Sequence, residues 1–351
     1  MEQTAVEKKF GKYVMASMIT MFLQSAYSMI DGLFVSNLIG DTALSAVNVA
    51  WPVIAVVTAI GTGVGCGGAV MMSTKQGEGK NEESNIVRAN VILALLASSI
   101  VVTILFLILL TPLLKLMGAE GELLRLSQIY GRVMLTGGVL QILSCGLTPL
   151  LRNDNRAVSA MMIMVGGLFA NLGLDFVFMY AFHMGIGGAA GASLCAQLFT
   201  TVCCLMILCT KKTDPIRLSQ FMIRKEYWKK IFKTAVSPFG ISLTPSLLIL
   251  YHNVACLKFG GDLAVNAYAL ISSTVGSYRV LLIGVAEGIQ PLASYAYGAH
   301  DFHAIRKIRN KAVITAIGVS FFLFIFTIAT ARFYPAIYGY ERETAELGYH
   351  A

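Results

Sequence analysis

Charge is scarce in this chain. Only 13% of its 351 residues are Asp, Glu, Lys or Arg, against 56% hydrophobic, and the mean hydropathy is +0.70. A soluble globular protein is excluded by that balance. Seven cysteines (66, 145, 195, 203, 204, 209, 256) lie mainly inside apolar stretches without metal-ligand spacing, and Cys203 adjoins Cys204. Nothing in that pattern suggests a disulfide framework or a metal site, so they read as small apolar packing residues. A Walker loop, a metal-hydrolase signature and a nucleophile with its base are all missing, so neither ATP-driven work nor an enzyme is expected. There is also no cleavable signal, because the first apolar run is too long and lacks a convincing cleavage site.

What the chain does have is long apolar runs. Each is about 20 residues or more, the length that crosses a hydrocarbon core of roughly 30 Å, and in lipid the backbone must close its hydrogen bonds within each segment. Nine helical spans are expected, near 13–36, 48–73, 88–111, 126–149, 157–182, 187–210, 228–257, 263–291 and 311–333. The fold class is an all-α, polytopic membrane bundle. Basic residues fall on every second connection: Lys8, Lys9 and Lys12; Lys75, Lys80 and Arg88; Arg152 and Arg156; the stretch from Lys211 to Lys230; and Arg306 to Lys311. The intervening connections carry Asp41, Glu120 with Glu122, Asp262, and Glu341 with Glu343. This alternation predicts a cytoplasmic N-terminus. It also accounts for the net charge of +8, and since the spans separate the basic residues no nucleic-acid surface is expected.

Segments 40–88 and 261–309 resemble each other without a gap, at a constant offset of 221 residues. Gly40 matches Gly261, Asp41 matches Asp262, Gly63 matches Gly284, Gly67 matches Gly288, Ser73 matches Ser294, Gly77 matches Gly298 and Arg88 matches Arg309. The copies begin six spans apart, an even number, so both have the same orientation, as in parallel repeats related by an axis along the membrane normal. The domains expected are an N-lobe over 1–210 (spans one to six), a cytoplasmic linker over 211–227, and a partial C-lobe over 228–351 (spans seven to nine). A complete second copy would need six spans, so the C-lobe is expected to be cut short.

Two acids stand inside apolar runs. A carboxylate in a span costs roughly 2.5–3.5 kcal/mol on insertion scales, and such residues tend to face a cavity and handle ions or substrate. At about 1.5 Å per residue, Asp31 lies about 28 Å beyond Lys12, Asp175 about 28 Å beyond Arg156, and Ser193 about 27 Å before Lys211. Three spans thus bring polar side chains to one depth. Asn171 shares a helical face with Asp175, four residues on, and Gln24, Tyr27 and Ser28 share one with Asp31. Two close carboxylates can hold one proton between them, and the same oxygens suit a hard cation such as sodium. The plainer alternatives are an interfacial position for Asp31 and interhelical hydrogen bonding for Asn171 and Ser193.

In the second half His252 stands where the repeat places Asp31, followed by Asn253. A packing role is the plainer reading of that pair. Glu287 and Arg279 share a face of span eight, but about 12 Å of rise separates them, too far for a tight pair. Glu287, Arg279 and His252 are candidate lining residues of a substrate cavity, with an interfacial charge as the alternative for Glu287.

Three motifs in order give a family resemblance along nearly the whole chain. Tyr27-Ser-Met-Ile-Asp31-Gly-Leu-Phe-Val with Ala43-Leu-Ser-Ala46 and Pro52 resembles the first loop region of the multidrug and toxic compound extrusion (MATE) family. Asn171-Leu-Gly-Leu-Asp175 with Gly185-Ile-Gly-Gly through Ser193 and Gln197 is similar to its span five to six segment. Gly288-Ile-Gln-Pro291 through Tyr295-Ala-Tyr-Gly298 resembles its span-eight signature. The resemblance implies a secondary antiporter with two six-span lobes that exports cationic amphipathic compounds in exchange for H+ or Na+, without a cofactor. It implies a cation site at Asp31, Asn171, Asp175 and Ser193, supported by Tyr27 and Gln24. It also implies a monomer in the bacterial plasma membrane whose partners are small cationic molecules and lipid. Ser193 stands where many relatives carry Thr, span one lacks a proline, and family members have twelve spans where this chain has nine. Two rival readings are a flippase for lipid-linked precursors of similar architecture and a non-transporting truncated remnant. A flippase would want a strongly basic cavity, for which Arg279 is the one obvious candidate.

Overall fold

The computed structural model describes the backbone of residues 3–210 and 220–330, and side chains from Lys9 to Ala329 except scattered positions between 28 and 41 and between 250 and 277. Ser28, Asp41, Asn253 and Asp262 fall among those side chains. Lys8, most of the basic stretch that opens the linker (211–219), the end of span nine (331–333) and Glu341 with Glu343 lie outside the described residues.

All the described structure is helical or turn. The elements are α1 (Gln3–Ile39), α2 (Asp41–Gly77), α3 (Asn81–Leu116), α4 (Gly121–Thr136), α5 (Gly138–Leu151), α6 (Ala157–Asp175), α7 (Gly185–Cys209), α8 (Lys225–Gly298) and α9 (Phe302–Thr330). Six stretches among the described residues are long and apolar enough to cross a membrane, including Lys9–Ile39, Thr42–Gly77 and Asn81–Leu116. Gly137 interrupts the fourth span, and α4 and α5 continue one another across it.

Helical hydrogen bonding in α8 runs over 74 residues, but it is not one rod. The rings of His252 and Tyr268 stack with centroids 5.0 Å apart, whereas sixteen residues of straight helix would separate them by about 24 Å. The chain therefore folds back between them, and α8 supplies the two antiparallel spans that the apolar pattern predicts as seven and eight.

Paired glycines show how the halves meet. A β-carbon on Gly67 would lie 3.0 Å or less from Ile231 and Ala235, and one on Gly288 equally close to Tyr13 and Val14. Gly63 meets Ala235 and Phe239 in the same way, and Gly284 meets Met18. The 221-residue offset carries Val14 onto Ala235 and Met18 onto Phe239. Each half therefore makes on the other the contact that the other makes on it, which a two-fold relation requires. Nearer the axis Gly77 faces Tyr295 and Gly298 while Gly298 faces Thr74, and Thr74 Oγ1 donates to the Ser294 carbonyl at 3.4 Å. Small residues let these backbones touch where lipid supplies no hydrophobic drive between helices. These contacts lie at the end of the bundle that carries the basic connections.

Two charges counted as loop residues in the alternation are buried. Arg88 and Arg152 are 0% and 6% exposed, because neighbouring helices satisfy them, and Lys75 and Lys80 are paired with Glu78 and Glu83. The charge asymmetry rests on the remaining basic residues.

Candidate functional site

The last turn of α6 places Asn171 and Asp175 on its buried face, 5% and 0% exposed. Their i,i+4 spacing lets Asn171 Nδ2 donate to Asp175 Oδ2 at 3.0 Å. From α1, Tyr27 reaches the same pair. Its hydroxyl donates to Asn171 Oδ1 and lies 3.4 Å from Asp175 Oδ2. Asp31, one turn further along α1, lies near enough for its carboxyl to interact with that of Asp175, and Ser193 of α7 lies near Tyr27. One oxygen of each carboxyl, Oδ1 of Asp31 and Oδ1 of Asp175, is buried without a hydrogen-bond partner.

A buried unpaired carboxylate oxygen is a large penalty unless a proton or cation meets it. The Tyr27 hydroxyl and one N–H of the Asn171 amide go to Asn171 Oδ1 and Asp175 Oδ2, and neither carboxyl's Oδ1 receives a donor. Asp31, Asp175, Asn171, Tyr27 and Ser193 thus form an acid-rich nest with acceptor capacity left over. That chemistry suits a proton shared between two carboxyls, or a small hard cation held by oxygens. Immediately beyond Asp175 the helix widens into a π-helical turn over Phe176–Ala181, where the Phe182 amide donates to the Val177 carbonyl five residues back. Such turns recur at functional sites.

Gln24 shares the helical face but is exposed, outside this cluster. Tyr130 of α4, which sequence reasoning missed, is 5% exposed and lies near both Asp31 and Asp175. In the second half no matching nest appears among the described side chains. His252 is exposed, its Nδ1 is 2.8 Å from the Leu248 carbonyl, and its ring stacks on Tyr268. Arg279 is exposed and apart from Glu287, as their spacing predicts.

Glu287 does something else. Its carboxylate pairs with Arg152 at 2.5 Å, across the junction between α8 and the turn that joins α5 to α6. That turn is a hub in which four successive residues hold four different helices. Arg152 meets Glu287 of α8 and Ser17 of α1 (3.5 Å). Asn153 accepts from Ser294 of α8 at 3.4 Å, and Asn155, in the left-handed region at φ 62°, accepts from Tyr13 of α1 at 3.4 Å. Asp154 accepts from Gln76 of α2 (3.0 Å) and Arg88 of α3 (3.3 Å). The polar run Arg152 to Arg156 reads as an exposed loop in the sequence, yet Arg152, Asn153 and Asp154 are buried because these partners replace water, while Asn155 stays exposed.

Comparisons with known proteins follow the same lines. The family model described as MatE matches residues 16–177 and 241–351. The Multidrug export protein MepA of Staphylococcus aureus (strain N315) is 25% identical over 335 residues, which span 94% of this chain and 72% of MepA. MepA of Staphylococcus saprophyticus is 24% identical over 318 residues, 90% and 70% of the two chains. Among solved structures, a multidrug resistance MATE family transporter of the MOP superfamily in an outward-facing conformation superposes with a TM-score of 0.91 at 25% identity, covering 97% of this chain and 77% of that one. A MOP superfamily transporter from Pyrococcus furiosus, described as having a binding pocket of reverse polarity that suggests a different function, gives 0.91 at 25% identity over 98% and 76%.

Proposed function

The chain belongs to the MATE (MatE) family of transporters, and on that premise we propose that it is a secondary antiporter that exports cationic amphipathic compounds in exchange for protons or sodium ions. Asp31, Asn171, Asp175 and Ser193 hold the driving ion, and Tyr27 orients them. The observation that carries this reading is the fully buried Asp175 with one oxygen unpartnered beside a second carboxyl. Two ionised carboxylates at that depth repel each other and lack water, so the site is comfortable only when neutralised. A proton or Na+ entering from one side neutralises it, and a cationic drug competes for the same negative charge. Exchange follows because both positive species cannot be held there at once.

In this reading the basic connections face the cytoplasm of a bacterial plasma membrane, residues 1–210 act as the N-lobe and 228–351 as part of the C-lobe, and a single chain is the working unit. Multidrug export, named for both MepA relatives, supports the substrate class. Everted membrane vesicles carrying the chain, with ethidium added outside, provide the test. Ethidium movement is expected to start when a proton gradient or a sodium gradient is imposed, and to stop when the matching ionophore collapses it. Movement indifferent to both gradients would overturn antiport.

A further inference from the structure

Of the two ion pairs described at the hub, Arg152–Glu287 is the one that crosses from one half of the chain to the other. Arg88 and Asp154, 3.3 Å apart, are each 1% exposed and belong to the same half of the chain, so that pair is a brace inside one lobe. Arg152 and Glu287 belong to opposite halves, and Glu287 keeps 22% of its side-chain surface. An ion pair that joins two bodies and is wetted at one end can part without leaving a dry charge, because water is at hand to replace the lost partner. Arg152 also lines a small cavity with Ser17, Thr20 and Thr148, and its Nε has no hydrogen-bond partner. The guanidinium therefore has polar surroundings to relax into.

The repeat makes the pair one-sided. The counterpart of Glu287 in the first copy is Cys66, a neutral residue 5% exposed. Cys66 is buried within electrostatic range of both Arg152 and Glu287. The two-fold relation that the glycine contacts obey is thus broken by one added charge at the junction.

We propose that Arg152 and Glu287 form an inter-lobe lock that closes the basic-loop end of the bundle and must part each time that end opens. The lock rests on the alternating-access reading above. It joins the lobes at the end opposite the ion nest, since Asp175 lies about 28 Å along α6 from Arg156. Glycine contacts fix how closely the lobes approach, while the ion pair sets how long they stay closed. Neither residue touches the driving ion, and their role is to position the lobes.

Cys66 is a built-in reporter of that opening, because a thiol beneath the closed junction is alkylated only when the lobes part. The full chain in membranes is treated with N-ethylmaleimide, and the rate is read on the Cys66 peptide by mass spectrometry. Glu287→Gln is expected to raise that rate roughly tenfold, the shift that loss of about 1.4 kcal/mol from the closed state produces. The double variant Arg152→Glu with Glu287→Arg is expected to return it to within about twofold of wild type. A wild-type rate in Glu287→Gln overturns the lock, and so does a charge swap as fast as the single variant. If Glu287→Gln fails to fold, Glu287→Asp, which keeps the charge and shortens its reach, must still speed labelling, and an unchanged rate there overturns the proposal. Labelling needs neither drug nor gradient, so this result stands apart from whether ethidium moves.

Discussion

Replacing Asp175 by Asn is expected to lower gradient-driven ethidium movement to the background of vesicles without the protein, while the chain inserts and purifies as before. Asn is nearly isosteric with Asp, so α6 keeps its packing, and an amide oxygen can still accept from Asn171 and Tyr27. What is lost is the charge. A charge-assisted contact is worth about 1.5–3 kcal/mol, so affinity for the driving ion should drop roughly 10- to 150-fold. The cationic substrate loses the same attraction, so both limbs of the exchange suffer together. Stability should not suffer. The carboxyl is fully buried with one oxygen unpartnered, and neutral groups replace buried charges at little or no cost. A thermal midpoint at or above wild type, with efflux gone, separates loss of function from loss of fold. Efflux that survives Asp175→Asn would sink the ion-site assignment. A chain inert in both forms would favour the non-transporting reading instead.

The cluster of acids was legible because helices convert sequence into depth at a fixed rate. Asn171 and Asp175 needed only the i,i+4 rule. Asp31 and Ser193 needed only counting from the charged ends of their spans, and all four come together as that count implies. Tyr130 escaped notice because nothing local marks one tyrosine among many, and only the packing of α4 against α2, α3 and α7 brings it near the acids. Gln24 shows the converse, since it lies on the right face yet outside the cluster. The hub at Arg152 to Asn155 was invisible for a different reason. Five polar residues in a row look like a solvated loop, and what buries the first three is a set of partners on α1, α2, α3 and α8. Glu287 was likewise flagged as a cavity acid while its true partner was counted among loop charges. The repeat fared better: the glycines paired by sequence are the ones at which the halves touch, because close backbone approach tolerates no side chain.

Gly65→Val should be strongly damaging. Gly61 and Gly65 lie one helical turn apart on α2, and both face the backbone of α5. A β-carbon on Gly61 would come 2.7 Å from the Ile142 carbonyl oxygen, and one on Gly65 would collide with the Cα and carbonyl of Gly146. Gly146 in turn faces the Gly61 carbonyl and Leu95. Backbone cannot swing aside as a flexible side chain can, so the helices must separate. Overpacking of this kind costs about 1–3 kcal/mol, and more where rigid groups meet. The thermal midpoint in detergent should fall by about 2–5 °C, with a matching loss of monodisperse protein. Gly318→Ala on α9, where nothing lies within 4 Å, is the control. It should leave the midpoint unchanged or raise it slightly, since alanine favours helix by about 1 kcal/mol over glycine. Equal midpoints for both variants would mean that α2 and α5 do not touch through their backbones. The path from that crossing to the Arg152 hub, which α5 carries at its end, would then lose its support. Gly65→Ala adds one methyl group to the same contact and should fall between the two, so a graded series identifies backbone separation as the cause.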